Sequence, residues 1–107
     1  MTIKTKKWDG KNITYYMVNG TIASRAIWGI HEKGVMFLDG IHTAPAYENQ
    51  GYGTKILQYL KTKTDTIILF VAKLDNKTIN FYTKNGFVIR GRQAVWQKYT
   101  AGIQAMG

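Results

Sequence analysis

The chain has 107 residues, an apolar fraction of 45%, a single proline and a formal net charge of +9. That length supports one domain over residues 1–100 with a loose tail at 101–107, and leaves no room for a second core. With no cysteine present, disulfides, thiolate metal sites and a cysteine nucleophile are excluded, and no apolar run approaches the length of a membrane span.

The front of the chain reads as strands. Thr2–Trp8 alternates, Asp9-Gly10 is a hairpin turn, and residues 12–18 form a second strand. Asn19-Gly20 turns the chain into a third strand at 21–30. Glu32-Lys33-Gly34 then turns it into a fourth, Val35–Thr43. Residues 51–62 carry a helical pattern with Tyr52, Ile56, Tyr59 and Leu60 as its apolar stripe. The run 66–72 is almost continuously apolar, the signature of a strand buried on both faces. Residues 75–85 form a second helix, with Gly86 as its left-handed C-cap, and strands at 87–90 and 94–99 finish the sheet. The segment Met1 to Lys7 lacks the apolar core of a signal peptide. The expectation is a cytoplasmic protein with no membrane partner.

The most informative stretch is T-A-P-A-Y-E-N-Q-G-Y-G, from Thr43 to Gly53. A strand, a glycine-punctuated loop and a helix start form an arrangement that offers backbone N–H groups to an anion. Gly51 and Gly53 let such a loop take positive φ and admit a phosphate close to the main chain. The plainer reading is a tight turn before a helix. What shifts the balance is a second motif, Asn80-Phe81-Tyr82-Thr83-Lys84-Asn85-Gly86-Phe87.

Together the two segments resemble the GNAT-type N-acetyltransferases. The first is similar to that family's acetyl-CoA-binding motif, V-x-P-x-Y/F-R/Q-x-x-G-x-G/A. The second is similar to its later motif, a helix ending in F/L-Y-x-x-x-G-F. The resemblance implies an α+β, GNAT-like fold: a central, mostly antiparallel twisted sheet of about seven strands with two helices. It implies acetyl-CoA as co-substrate. Main-chain groups at Ile41, His42 and Thr43 would hold the pantetheine arm where two strands splay apart. Backbone amides at Asn49, Gln50, Gly51, Tyr52, Gly53 and Thr54 would hold the pyrophosphate. Tyr82 falls where the family places the tyrosine that protonates the departing thiolate, with Asn76 a further cofactor contact. Small size and a lysine-, threonine- and asparagine-rich composition suit a minimal member of the kind carried by a phage or mobile element.

Three departures from the family pattern carry consequences. Glu48 stands where Arg or Gln is usual, and a carboxylate repels a pyrophosphate unless it is turned away or paired. Phe37 stands where some relatives have a glutamate base. Asp39 shares the face of Phe37 by alternation and is the candidate base through a water; its plainer reading is a surface aspartate at a kink before Gly40. His42 falls on the opposite face by the same alternation, and His31 lies in a turn. The two helices that the family places between its first two strands are missing, since Asp9-Gly10 leaves only a tight turn. The acceptor side is therefore open, which favours a protein or other bulky amine, or a face covered by a second subunit in a homodimer or by a partner.

Lysines 4, 6, 7 and 11 crowd the front of the chain, and Lys55, Lys61, Lys63, Lys73, Lys77 and Lys84 follow along the helices. A basic surface attracts anions, from CoA to nucleic acid, though lysine-rich faces are usually only solvated ones. The competing class is a non-catalytic binding protein that contacts nucleic acid or a host protein through this surface. Two histidines and scattered carboxylates match no metal-ligand spacing.

Overall fold

The computed structural model describes residues 2–98. Two dipeptide turns organise the first half. Asp9-Gly10 and Asn19-Gly20 all take positive φ, between 49° and 78°, the geometry of two-residue hairpins whose twist matches that of the flanking strands. They join β1 (Thr2–Trp8) to β2 (Lys11–Val18) and β2 to β3 (Thr21–Glu32). β3 runs two residues past the expected end because Lys33-Gly34 alone makes the next turn, into β4 (Val35–Thr43). A short 3-10 turn at Pro45–Tyr47 leads to α1 (Tyr52–Lys61). Then come β5 (Thr66–Phe70), α2 (Asn76–Lys84), β6 (Val88–Arg90) and β7 (Gln93–Gln97). Tyr99 and the tail at 101–107 lie outside the described residues.

The strands form one sheet in the order β1-β2-β3-β4-β5-β7-β6. Every neighbouring pair is antiparallel except β4 and β5. The α+β architecture expected from the sequence, a mostly antiparallel sheet of seven strands with two helices, is thus present, without helices between the first strands.

Both helices pack over the same face of the sheet. Ile56, Leu57 and Leu60 of α1 join Trp28, Met36, Leu38, Ile67, Leu69 and Ala94 from the strands, with Tyr82 and Phe87 closing the cluster. Burying each large aliphatic side chain here contributes about 1.5–3 kcal/mol. The stripe of α1 is therefore Gly53, Ile56, Leu57 and Leu60, while Tyr52 and Tyr59 sit half-buried at its borders. The polar core group is satisfied: Trp28 Nε1 donates to Thr14 Oγ1 at 2.8 Å, and Thr14 bonds Thr5 across the strands at 2.9 Å.

Packing on one face corrects the reading of β5. Ile67 and Leu69 are buried, whereas Phe70 is 65% exposed and Ile68 half-covered, because no helix lies over the second face. Among the described residues no helix is long and apolar enough to cross a membrane.

Candidate active site

β4 is where the sheet opens. It pairs with β3 along its length, but with β5 only from Val35↔Thr66 to Leu38↔Leu69. A bulge at this point sets Leu38 opposite Trp28 and Gly40 opposite Ile27, so that Asp39 is the extra residue. Bulges bend and twist a strand. Beyond Leu38 and Leu69 the parallel pair has parted, and residues 39–43 present one main-chain edge without a strand beside it. A cavity of about 670 Å³ lies along that edge, within the range of small-molecule sites.

The N-terminus of α1 forms one wall. Asn49 has φ 61° and Gly51 φ 84°, and no side chain caps the helix. The first N–H with an intrahelical partner is that of Lys55, 3.0 Å from Gly51 O. The amides of Tyr52, Gly53 and Thr54 therefore lack helical acceptors, and the helix dipole adds positive character at the same place. Gly51 supplies the left-handed turn. Gly53 does something else: a Cβ there would lie 3.1 Å from Cζ of Phe81 and 3.8 Å from Cγ2 of Ile41. It is the glycine that lets α2 approach α1, not one that bends the loop.

The facing wall is α2. Its N-cap is Asp75, whose Oδ1 accepts from the N–H of Thr78 at 2.7 Å. That bond holds the Asp75 carboxyl below its ordinary value. Asn76, next in the chain, is exposed and does not reach the cavity. Lys77, Thr78, Phe81 and Lys84 do.

Tyr82 also reaches the cavity and is only 7% exposed. It stands between Phe81 and Phe87, at ring distances of 5.1 and 5.4 Å. A Schellman turn fixes it: Phe87 N–H donates to Tyr82 O at 3.0 Å and Gly86 N–H to Thr83 O at 3.1 Å. Gly86, at φ 87°, makes that turn possible. Burial pushes the Tyr82 phenol up, so it is a protonated donor at neutral pH.

Two side chains lock the helices together. Asn85 Nδ2 donates to Phe81 O at 2.7 Å and to Thr54 Oγ1 at 3.3 Å. Lys61, at the end of α1, donates to Asn85 O and lies over the rings of Trp96 and Phe87. Desolvation lowers its pKa.

The residues expected to act together are mostly gathered. Ile41, His42, Thr43, Asn49, Gly51, Tyr52, Gly53, Thr54 and Tyr82 line the cavity. Gln50 is not among the lining residues; its side-chain Nε2 donates to Ala46 O at 3.2 Å, a bond that does not involve its backbone N–H. Glu48 borders the cavity, and among the described residues no cation pairs with it. Asp39 lies elsewhere: it forms an ion pair with Lys11 and lines a smaller hollow of about 220 Å³ with Arg25, Ile27 and Gly40. Ile41 and His42 border both spaces, so the end of β4 is the partition between them. Simple alternation put His42 on the opposite face from Asp39; the bulge absorbs one residue and brings both to the hollow. His31 belongs to β3 rather than to a turn, and its ring packs tilted against that of Phe37, with centroids 4.6 Å apart.

The cavity residues that went unforeseen are Tyr47, Lys77, Thr78, Phe81 and Lys84. The α2 members recur at helical spacing around Tyr82, which was the available signal. Among the described residues no cluster of potential metal ligands occurs.

Comparison with known proteins agrees with this geometry. The model of the acetyltransferase (GNAT) domain matches residues 9–89. A GNAT family acetyltransferase from Elizabethkingia anophelis, solved with acetyl-CoA bound, superposes with a TM-score of 0.71 at 12% identity over 82% of this chain and 76% of its own. The ribosomal-protein-S18-alanine N-acetyltransferase of Escherichia coli gives 0.67 at 23% identity, over 83% and 67%. The PaiA N-acetyltransferase of Thermoplasma acidophilum, in complex with coenzyme A, gives 0.64 at 19%, over 78% and 57%. No curated protein matches the sequence.

Proposed function

This chain belongs to the GNAT acetyltransferase family, and from that premise we propose that it transfers an acetyl group from acetyl-CoA to an amine on a protein or other bulky acceptor. The observation that carries the proposal is the convergence on one cavity of a free β4 edge, unpaired α1 amides and the buried Tyr82 hydroxyl. The structural neighbours solved with acetyl-CoA or coenzyme A support the choice of co-substrate.

In this reading the pantetheine arm lies along Ile41 and Thr43, completing the hydrogen bonding that β5 leaves open. The pyrophosphate sits on the amides from Asn49 to Thr54, where free N–H groups and the helix dipole favour anions. Lys77 and Lys84 add positive charge on the opposite wall.

The acceptor nitrogen attacks the thioester carbonyl carbon as the neutral amine, from the hollow beyond β4, and gives up its excess proton as the amide forms. A C–N bond forms and the C–S bond breaks. Backbone N–H groups of β4 polarise the carbonyl oxygen. Tyr82 delivers its proton to the sulfur, a step for which a neutral phenol held in place by two rings is suited. Asp39 takes the amine's proton through a water, with its Lys11 partner yielding as it does so.

Isothermal titration with acetyl-CoA and CoA tests the cradle. Micromolar-range binding is expected, and its absence overturns the reading. Tyr82→Phe then separates chemistry from binding: turnover should fall by about 10²-fold or more with CoA affinity retained. Unchanged turnover would remove Tyr82 from the mechanism.

A further inference from the structure

The second face of the sheet, free of helices, is not an ordinary solvated surface. Register places Ile27, Phe37, Ile68, Val95 and Val88 in one band across five strands. Phe37 is 37% and Val88 44% exposed, and a continuous apolar band of this kind marks an interaction site. The hollow beside Asp39 opens into the same band, because Ile27 lines both.

The charge around the band says what covers it. Lys4 and Lys6 on β1, Arg25 on β3 and Arg90 on β6 project from the same face by register. The hollow's single carboxylate, Asp39, is already paired with Lys11, whereas Arg25 has no ion pair among the described residues. An isologous dimer would set these cations against themselves. A nucleic acid would satisfy them, but beside the rings of Phe37 and Phe70 it would meet the aliphatic side chains of Ile27, Ile68, Val95 and Val88, which offer its bases nothing to stack on. An apolar protein segment flanked by carboxylates meets both requirements.

We propose that the helix-free face is the docking surface for a protein acceptor: an apolar segment flanked by aspartate or glutamate, whose amine enters the hollow between Arg25 and Asp39. The amine's fate rests on the acetyl-transfer reading above; the docking is measurable without it.

The probe is a fluorescein-labelled peptide of leucines and glutamates around one central lysine, followed by anisotropy, with an arginine-for-glutamate counterpart as control. The acidic peptide should bind roughly tenfold tighter or better, and salt should weaken it. Phe37→Asp and Arg25→Glu should each abolish most of that preference while the acetyl-CoA titration stays unchanged, which also reports that the variants are folded. Equal affinity for the two peptides overturns the proposal. So does displacement of the peptide by single-stranded RNA at lower concentration than the peptide itself requires. A dimer in sedimentation that Phe37→Asp dissolves would assign the face to a second copy instead. Peptide binding without acetyl-CoA binding would overturn the transfer reading and leave the docking surface standing.

Discussion

Glu48 and Gly53 show how much a single residue decides in this cavity. Glu48 borders it and, among the described residues, has no ion-pair partner, where a pyrophosphate would bring further negative charge. A repulsion between partly solvated charges a few ångströms apart is worth on the order of 1 kcal/mol. Glu48→Gln should therefore tighten CoA binding about fivefold, read by titration at low salt, and the gain should shrink as salt is added. Gly53→Ala makes a different prediction. The new methyl would stand 3.1 Å from Phe81, and the free side of that ring is the cavity. Helix propensity favours alanine by about 1 kcal/mol, which offsets the crowding, so the thermal midpoint should change little. CoA affinity should fall roughly tenfold as Phe81 swings into the cavity. A large loss of stability with affinity intact would show instead that Phe81 cannot move.

At the scale of elements, each helix owes its position to a different device. α1 is held by apolar burial. Leu57 is fully buried against the sheet, and Leu57→Ala should cost about 2–5 kcal/mol in denaturant unfolding. α2 is shorter and more polar, and depends on its ends: the Asp75 cap and the Schellman turn at Gly86. The Asp75 carboxyl is held below 3.8 chiefly by the backbone N–H of Thr78. Its contribution is present above that value and lost as pH falls through the lowered one, since the unfolded chain then binds the proton first. Acid unfolding followed by circular dichroism should show Asp75→Asn, which keeps the cap oxygen without the charge, less sensitive to pH below 4 than the parent. Turns and caps of this kind are legible because they depend on residues a few positions apart. Asp9-Gly10, Asn19-Gly20 and Gly86 announced their conformations in advance, and the observed φ values agree. The bulge at Asp39 announced nothing. Alternation across 37, 39 and 42 misplaced His42 because the extra residue is dictated by pairing with β3, far away in sequence. Leu57 was overlooked for a related reason: a helix has several apolar residues to offer, and the sheet selects which of them it buries.

For the whole molecule, the lesson is how two motifs came to share one cavity. The sequence alone determined the family resemblance, the order of strands and helices, the loop before α1 and the placement of Tyr82 ahead of Gly86-Phe87. All of these follow from local patterning, whose physics extends over a turn of helix or a hairpin. It also showed, by the tight turn at Asp9-Gly10, that no helices would lie between the first two strands. Only the tertiary structure decided that β4 and β5 part after four residue pairs, that Gly53 serves Phe81, and that Lys77 and Lys84 face the α1 amides. It likewise decided that the bare face carries an apolar band ringed by cations. Each of these depends on which residues distant in sequence are brought side by side, and that is set by the packing of α1 and α2 over one face of a twisted sheet rather than by any stretch of sequence read on its own.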